Sequence, residues 1–176
     1  GARHVAAIPT PDREDFDLGL AAERYRKLLD AGREHGIRVA FEFVGFFKGI
    51  HRLGQAAAVM LDADDPDACL VMDTFHLYRG GSGFRGIRLL QPSAIAVFHW
   101  NDAPTEPDRT TLGDADRVLP GDGGLPLAPL LRDLKEIGYR GPLSLELFHR
   151  ELWKQDPASV ARRGLEAMRD LVARVE

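Results

Sequence analysis

Apolar residues along this chain fall into two alternating patterns. Short, nearly continuous apolar runs occur at HVAAI (4–8), 37–43, 68–72, 94–98 and 143–147, and each reads as a strand. Between them, apolar positions recur at helical spacing. Leu18, Ala21, Ala22, Tyr25, Leu28 and Leu29 predict a helix that Asp15 or Asp17 can cap and that Gly36 stops. Leu53, Ala56, Ala57, Met60 and Leu61 predict a second, closed by DADDPD (62–67), which reads as a solvated helix end. Leu127, Leu130, Leu131, Leu134 and Ile137 predict a third that ends at Gly138, and residues 160–172 a last one. Residues 84–90 read as short helical or irregular chain. Residues 101–123, rich in Asp, Pro and Gly, read as a long loop of the kind that usually has a function.

Strands that are apolar throughout are buried on both faces, which signals a parallel sheet covered by helices. The expected fold is α/β, a (β/α)8 TIM barrel. Five strands are readable, where a closed barrel has eight and runs to about 250 residues. The expectation is therefore a single partial barrel domain over residues 1–176, about five C-terminal βα units, truncated at the N-terminus. An open sheet has two unpaired edges, so self-association into a homo-oligomer is expected.

Composition narrows the partners. A formal net charge of −4 argues against nucleic acid, whose phosphates leave a basic footprint on their binders. No apolar stretch is long enough to span a membrane, and the N-terminus carries no signal pattern. Cys69 stands alone inside a strand, so it has no intrachain disulfide partner and reads as a buried core residue; a reducing, cytoplasmic setting is expected.

Four of the strand-like runs end in residues that bind metals. RVAFE ends at Glu42, CLVMD at Asp73, IAVFH at His99 and PLSLE at Glu146. In a parallel barrel the C-terminal strand ends open onto one face, where active sites sit. Three carboxylates and one imidazole converging there suit one divalent ion, Mn, Mg, Co or Zn. No Arg or Lys occupies any of the four ends, which disfavours a structural ion pair.

At this point the chain resembles the xylose-isomerase-like TIM-barrel superfamily of sugar phosphate isomerases and epimerases. The segments that carry the resemblance are MDTFH (72–76), FHWND (98–102), RVLPGDGGLPL (117–127) and GYRGPLSLELF (138–148). It implies that Glu42, Asp73, His99 and Glu146 are the metal ligands, that His76 contacts substrate beside the metal, and that Arg117 holds a substrate oxygen or phosphate. The inserted stretch TEPDRTTLGDA before Arg117 makes Arg109 a competitor for that last role.

The chemistry fits such a site. Isomerising a hydroxy-carbonyl sugar removes a proton beside a carbonyl, and a cation can stabilise the enediolate charge that results. Glu42 and Glu146 are the candidates to take and return the proton. If both act, the product is an epimer. One acting with a neighbouring donor gives isomerisation or loss of water, so an inosose-type dehydratase is the alternative. An endonuclease IV-type DNA-repair enzyme is disfavoured, because no Asp-x-His pair occurs in the sequence. A truncated, non-catalytic metal-binding half barrel is the third reading. Trp100 either walls the site or packs at the rim, and Phe46 and Phe47 are a pocket wall, an interface or core. GGSG (80–83) lacks the lysine of a phosphate loop and reads as a flexible turn. PGDG (120–123) reads as a tight turn.

Overall fold

The computed structural model of the protein describes residues 1–13 and 16–175. Asp15, one of the two candidate caps, lies outside them. The other, Asp17, caps the first helix, its carboxylate accepting from the Leu20 amide at 2.9 Å. Among the described residues five strands form one parallel sheet in sequence order: β1 (His4–Ala7), β2 (Arg38–Glu42), β3 (Cys69–Asp73), β4 (Ile95–His99) and β5 (Leu143–Ser144). The connecting helices are α1 (Leu18–Glu34), α2 (Leu53–Asp62), α3 (Thr74–Arg79), α4 (Leu127–Glu136) and α5 (Pro157–Ala173). This is the βα repeat that the apolar pattern predicts.

The two faces of the sheet carry different residues. Val39, Phe41, Leu70, Met72 and Phe98 pack with Tyr25, Leu29, Val59, Leu130 and Leu134 of the helices in the main core. The opposite face is a small cluster of Ala40, Cys69, Val71 and Ala96, with Val97 against it. Because side chains alternate along a strand, Glu42 shares the face of Ala40, and Asp73 that of Cys69 and Val71. Strand β4 would break this scheme without an irregularity. Leu70 pairs with Ile95 but Val71 pairs with Val97, so β4 carries one extra residue. A one-residue slip moves every later side chain to the other face. The extra residue is what sets Phe98 against the helices and His99 opposite Asp73.

Two helix ends use glycine in the same way. At Gly36 (φ 66°) the Ile37 amide bonds Gly32 O at 2.8 Å and the Gly36 amide bonds Arg33 O at 3.1 Å. At Gly138 (φ 83°) the Tyr139 and Gly138 amides repeat the pattern on Leu134 O and Lys135 O. Each is a Schellman end that turns the chain directly into the next strand. Tyr25, 1% exposed, reaches from α1 to the start of the β2–β3 ladder. Its hydroxyl accepts from the Cys69 amide at 3.0 Å and lies 2.9 Å from both Val39 O and Cys69 O.

Two expectations need correction, and one helix goes unmarked in the sequence. Strand β5 spans two residues rather than five, because it pairs only with β4 and that ladder ends where β4 does; Glu146 therefore lies two residues past the strand. Helix α3 is not legible as a period, since six residues hold less than two turns. The acidic run is not simply solvated: Asp65 accepts from Arg33 at 2.7 Å, and its side chain is only 10% exposed. The long loop is internally tied. Asp102 and Val118 form an antiparallel bridge, and the buried Asp102 carboxylate accepts from the amides of Ala103, Gly121 and Leu125 at 2.8, 3.0 and 2.9 Å.

Candidate metal centre

The residues that end β2, β3 and β4 point from one face of the sheet toward a shared point, and Glu146 joins them from beyond β5. The centre is His99 Nδ1. It lies 3.2 Å from Glu146 Oε2, 3.4 Å from Glu42 Oε1 and 3.8 Å from Asp73 Oδ2. None of these contacts has the alignment of a hydrogen bond, and Nδ1 is buried without a partner. A buried donor atom left unpaired among three carboxylates is costly unless something else satisfies it. Donor atoms of Asp73, His99 and Glu146 lie within 4.8 Å of one another, as do those of Glu42, Asp73 and His76. Oxygen donors with one imidazole form the set that hard or borderline divalent cations take, so these residues fit such an ion.

Asp73 is nearly inaccessible, and each of its oxygens is used. Oδ1 accepts from the His76 amide at 2.9 Å and so caps α3. The Asp-x-x-His spacing is thus the cap and third residue of a short helix. Oδ2 accepts from Arg117 Nη1 at 2.6 Å and from Asn101 Nδ2 at 3.3 Å. Asn101 is held in turn by the Thr74 hydroxyl at 2.8 Å. Nothing in the sequence patterns marked Asn101, although it lies inside FHWND beside His99.

Arg117 is 1% exposed and links the cluster together. Nη1 also donates to Glu146 Oε2 at 2.8 Å, and Nη2 donates to Asp114 Oδ1 at 2.6 Å. The guanidinium lies between the rings of Phe75 and Phe148, 5.0 and 5.2 Å from their centroids. Nη2 also sits 3.2 Å from His76 Nε2. Arginine only donates, so Nε2 is the acceptor and the imidazole proton is on Nδ1, which is buried and unpartnered.

The electrostatics follow from burial set against these charges. Burial pulls His76 below its ordinary pKa, more strongly than Asp73 raises it, so it is a neutral imidazole. Burial also works against a charged His99, but the Glu146 and Glu42 carboxylates outweigh it and push its pKa up to about 10. Burial alone would raise Glu146, yet His99 and Arg117 outweigh it and hold the carboxyl below its ordinary value. The cluster therefore contains an ionised Glu146 and a neutral His76, each in contact with Arg117.

The structure thus brings together Glu42, Asp73, His99, Glu146, His76 and Arg117. Trp100 stands apart. It is fully buried, and its ring packs edge-on against Phe98 at 5.2 Å on the helix-covered face, opposite His99. Strand alternation sets that parity, so the ring packs in the core and does not wall the cluster. Arg109 is also outside: its Nη1 donates to Arg79 O at 2.8 Å. Phe46 is at the rim, its ring 5.6 Å from that of His76.

A parallel βα sheet with a carboxylate–imidazole cluster at its C-terminal strand ends defines a barrel-type protein with its chemistry on one face. Residues 1–171 match the sequence pattern of the Xylose isomerase-like TIM barrel family, and the chain belongs to that family. It is 28% identical over 180 residues to an inosose isomerase from Bacillus licheniformis, covering 99% of this chain and 64% of that protein. It is 32% identical over 131 residues to a 3-dehydroshikimate dehydratase from Pseudomonas aeruginosa, covering 74% of this chain and 21% of that one. Among solved structures, the IOLI protein with a binding zinc atom superposes with a TM-score of 0.91 at 26% identity. That match covers 99% of this chain and 64% of the other. The chain therefore spans less than two thirds of the length of these relatives.

Proposed function

We propose that Glu42, Asp73, His99 and Glu146 hold one divalent metal ion, and that the protein is an isomerase or epimerase of a small sugar or polyol. The observation that carries this reading is His99 Nδ1, buried, unpartnered and surrounded by three carboxylates. The relative named inosose isomerase and the zinc-containing relative support it.

A bound divalent ion supplies Lewis acidity that stabilises oxyanion charge on a deprotonated hydroxy-carbonyl compound. The chain supplies the proton transfers. Glu42 and Glu146 come from β2 and from beyond β5, the two ends of the four-strand arc, so they approach a substrate from different sides. Glu146, held ionised by His99 and Arg117, is the base that takes a proton from carbon. Glu42 returns one from the other side in an epimerisation. His76 offers its Nδ1 proton to a substrate oxygen, because Nε2 faces Arg117. Arg117 fixes Glu146 and Asp73 and keeps the carboxylates apart in charge. Loss of water from the same intermediate is the second reading, favoured by the relative named as a dehydratase.

Metal content tests the proposal directly. Purified protein should take up about one divalent ion per chain from a Mn or Zn titration followed by desalting. Glu146→Gln should hold it much more weakly. Equal metal content in both proteins, together with equal turnover of inosose and ketopentoses, would refute it.

A further inference from the structure

A recess of about 240 Å³ lies on the far side of Phe46 from His76. The β2–α2 loop, the end of α3 and the long loop meet there. Its walls carry Arg52, Arg79, Arg109 and His51, with no carboxylate among them. Phe46 belongs to both places: it lines the recess, and its ring touches His76. On α3, His76 serves the cluster while Arg79, one turn later, serves the recess.

The arginines are held in place. Arg79 Nε donates to Leu112 O at 2.7 Å, and Arg109 Nη1 donates to Arg79 O at 2.8 Å. Both are half-buried, and neither forms an ion pair among the described residues. Asp108 is near enough to be felt by both, but its carboxylate is engaged by the Thr110 amide and hydroxyl at 2.8 and 2.6 Å. Burial and the like charge of Arg109 pull Arg79 below its ordinary pKa, and the opposing pull of Asp108 does not cancel them.

The GGSG run makes this arrangement possible. A Cβ on Gly80 would meet His51 O at 2.0 Å, so the two loops pack backbone to backbone. Gly81 (φ 73°) leaves room for the Arg109 guanidinium, which a Cβ would meet at 2.9 Å. Ser82 Oγ accepts from the Leu53 amide at 2.9 Å, so the turn wraps the positive end of α2.

We propose that this recess is an oxyanion subsite, taking the phosphate or carboxylate of the molecule whose hydroxy-ketone end meets the carboxylate cluster. Planar guanidinium groups bind such groups in bidentate fashion, which suits arginine here better than lysine. The identity of that molecule rests on the isomerase reading above; the recess itself does not.

Inorganic phosphate is the first probe, titrated calorimetrically at low salt into metal-free protein. Saturable binding is expected, weakened roughly tenfold by Arg109→Gln, about one lost charge-assisted hydrogen bond. Arg79→Gln should do the same, and Arg88→Gln, a surface control, should do nothing. No saturable binding, or binding indifferent to both Arg109→Gln and Arg79→Gln, overturns the subsite. The second probe is a ketopentose and its 5-phosphate, bound to metal-loaded protein. Tighter binding of the ester, lost in Arg109→Gln, supports a substrate-borne oxyanion. Equal binding of both overturns the link to substrate and leaves a free-anion site. Failure of the isomerase reading would show separately, as absence of metal uptake with phosphate binding intact.

Discussion

Replacing Arg117 with Met removes the guanidinium buried in the carboxylate cluster. Its partner Asp73 is equally buried, each side chain 1% exposed at 2.6 Å. Breaking such a pair from one side strands a charge away from water and costs about 3–5 kcal/mol. The contacts to Glu146 and Asp114 add less, because those side chains are 31% and 35% exposed and water screens them. Met keeps most of the arginine's volume between Phe75 and Phe148, so the loss is mainly electrostatic. For a chain of this size each kcal/mol moves Tm by about 2–4 °C, so a fall of roughly 6–20 °C is expected in chelator at pH 7. Excess divalent cation should then recover part of that fall, since the stranded carboxylates are its proposed ligands. At a hundred times Kd the recovery is about 2.7 kcal/mol. Circular dichroism melts of wild type and Arg117→Met, with and without Mn or Zn, measure both effects. A fall below about 1 kcal/mol, or a fall the cation leaves untouched, refutes the reasoning.

Other perturbations test the supports of the site. Gly123→Ala places a Cβ 2.4 Å from both Ala103 O and Asp102 Oδ1; it should cost about 1–3 kcal/mol and open the long loop to protease, and an unchanged melt and digest would show that Asp102 does not pin it. Tyr25→Phe leaves the buried Cys69 amide without its acceptor and should cost about 1–3 kcal/mol in urea unfolding at unchanged slope; a neutral result would remove Tyr25 as the tie between α1 and the sheet. Burial pushes Tyr139 up to about 12, so the folded state prefers the neutral phenol. Its contribution is full below pH 10, the unfolded value, and is lost as pH climbs from 10 to 12. Tyr139→Phe should therefore melt with a flatter pH dependence across that window; identical profiles would count against it.

Positions in the chain revealed most of the cluster, but not its supports. Glu42, Asp73 and His99 could be found because each closes an apolar run, and the end of a parallel strand has a fixed place in a barrel. Glu146 closes such a run too, but its position past a two-residue strand depends on which edges are paired, and a run of apolar letters does not record that. Asn101 and Asp114 act through one side chain each, on Asp73 and Arg117, so no period marks them. Trp100 misled because adjacency to His99 in sequence means the opposite face in a strand. Asp102 sits in a motif beside the ligands, yet in the fold its carboxylate gathers loop amides.

The extra residue in β4 has an evolutionary consequence. Substitutions in β4 can drift freely among small apolar residues without disturbing which side chain faces the mouth. Insertions and deletions after Val97 cannot. Losing Ala96 would restore a regular ladder with His99 still opposite Asp73, but losing the residue between Val97 and His99 would present Trp100 there instead. The spacing from Val97 to His99 is therefore under stricter selection than the composition of the strand. A relative lacking the extra residue should carry its imidazole one place earlier in the strand, opposite the same carboxylate.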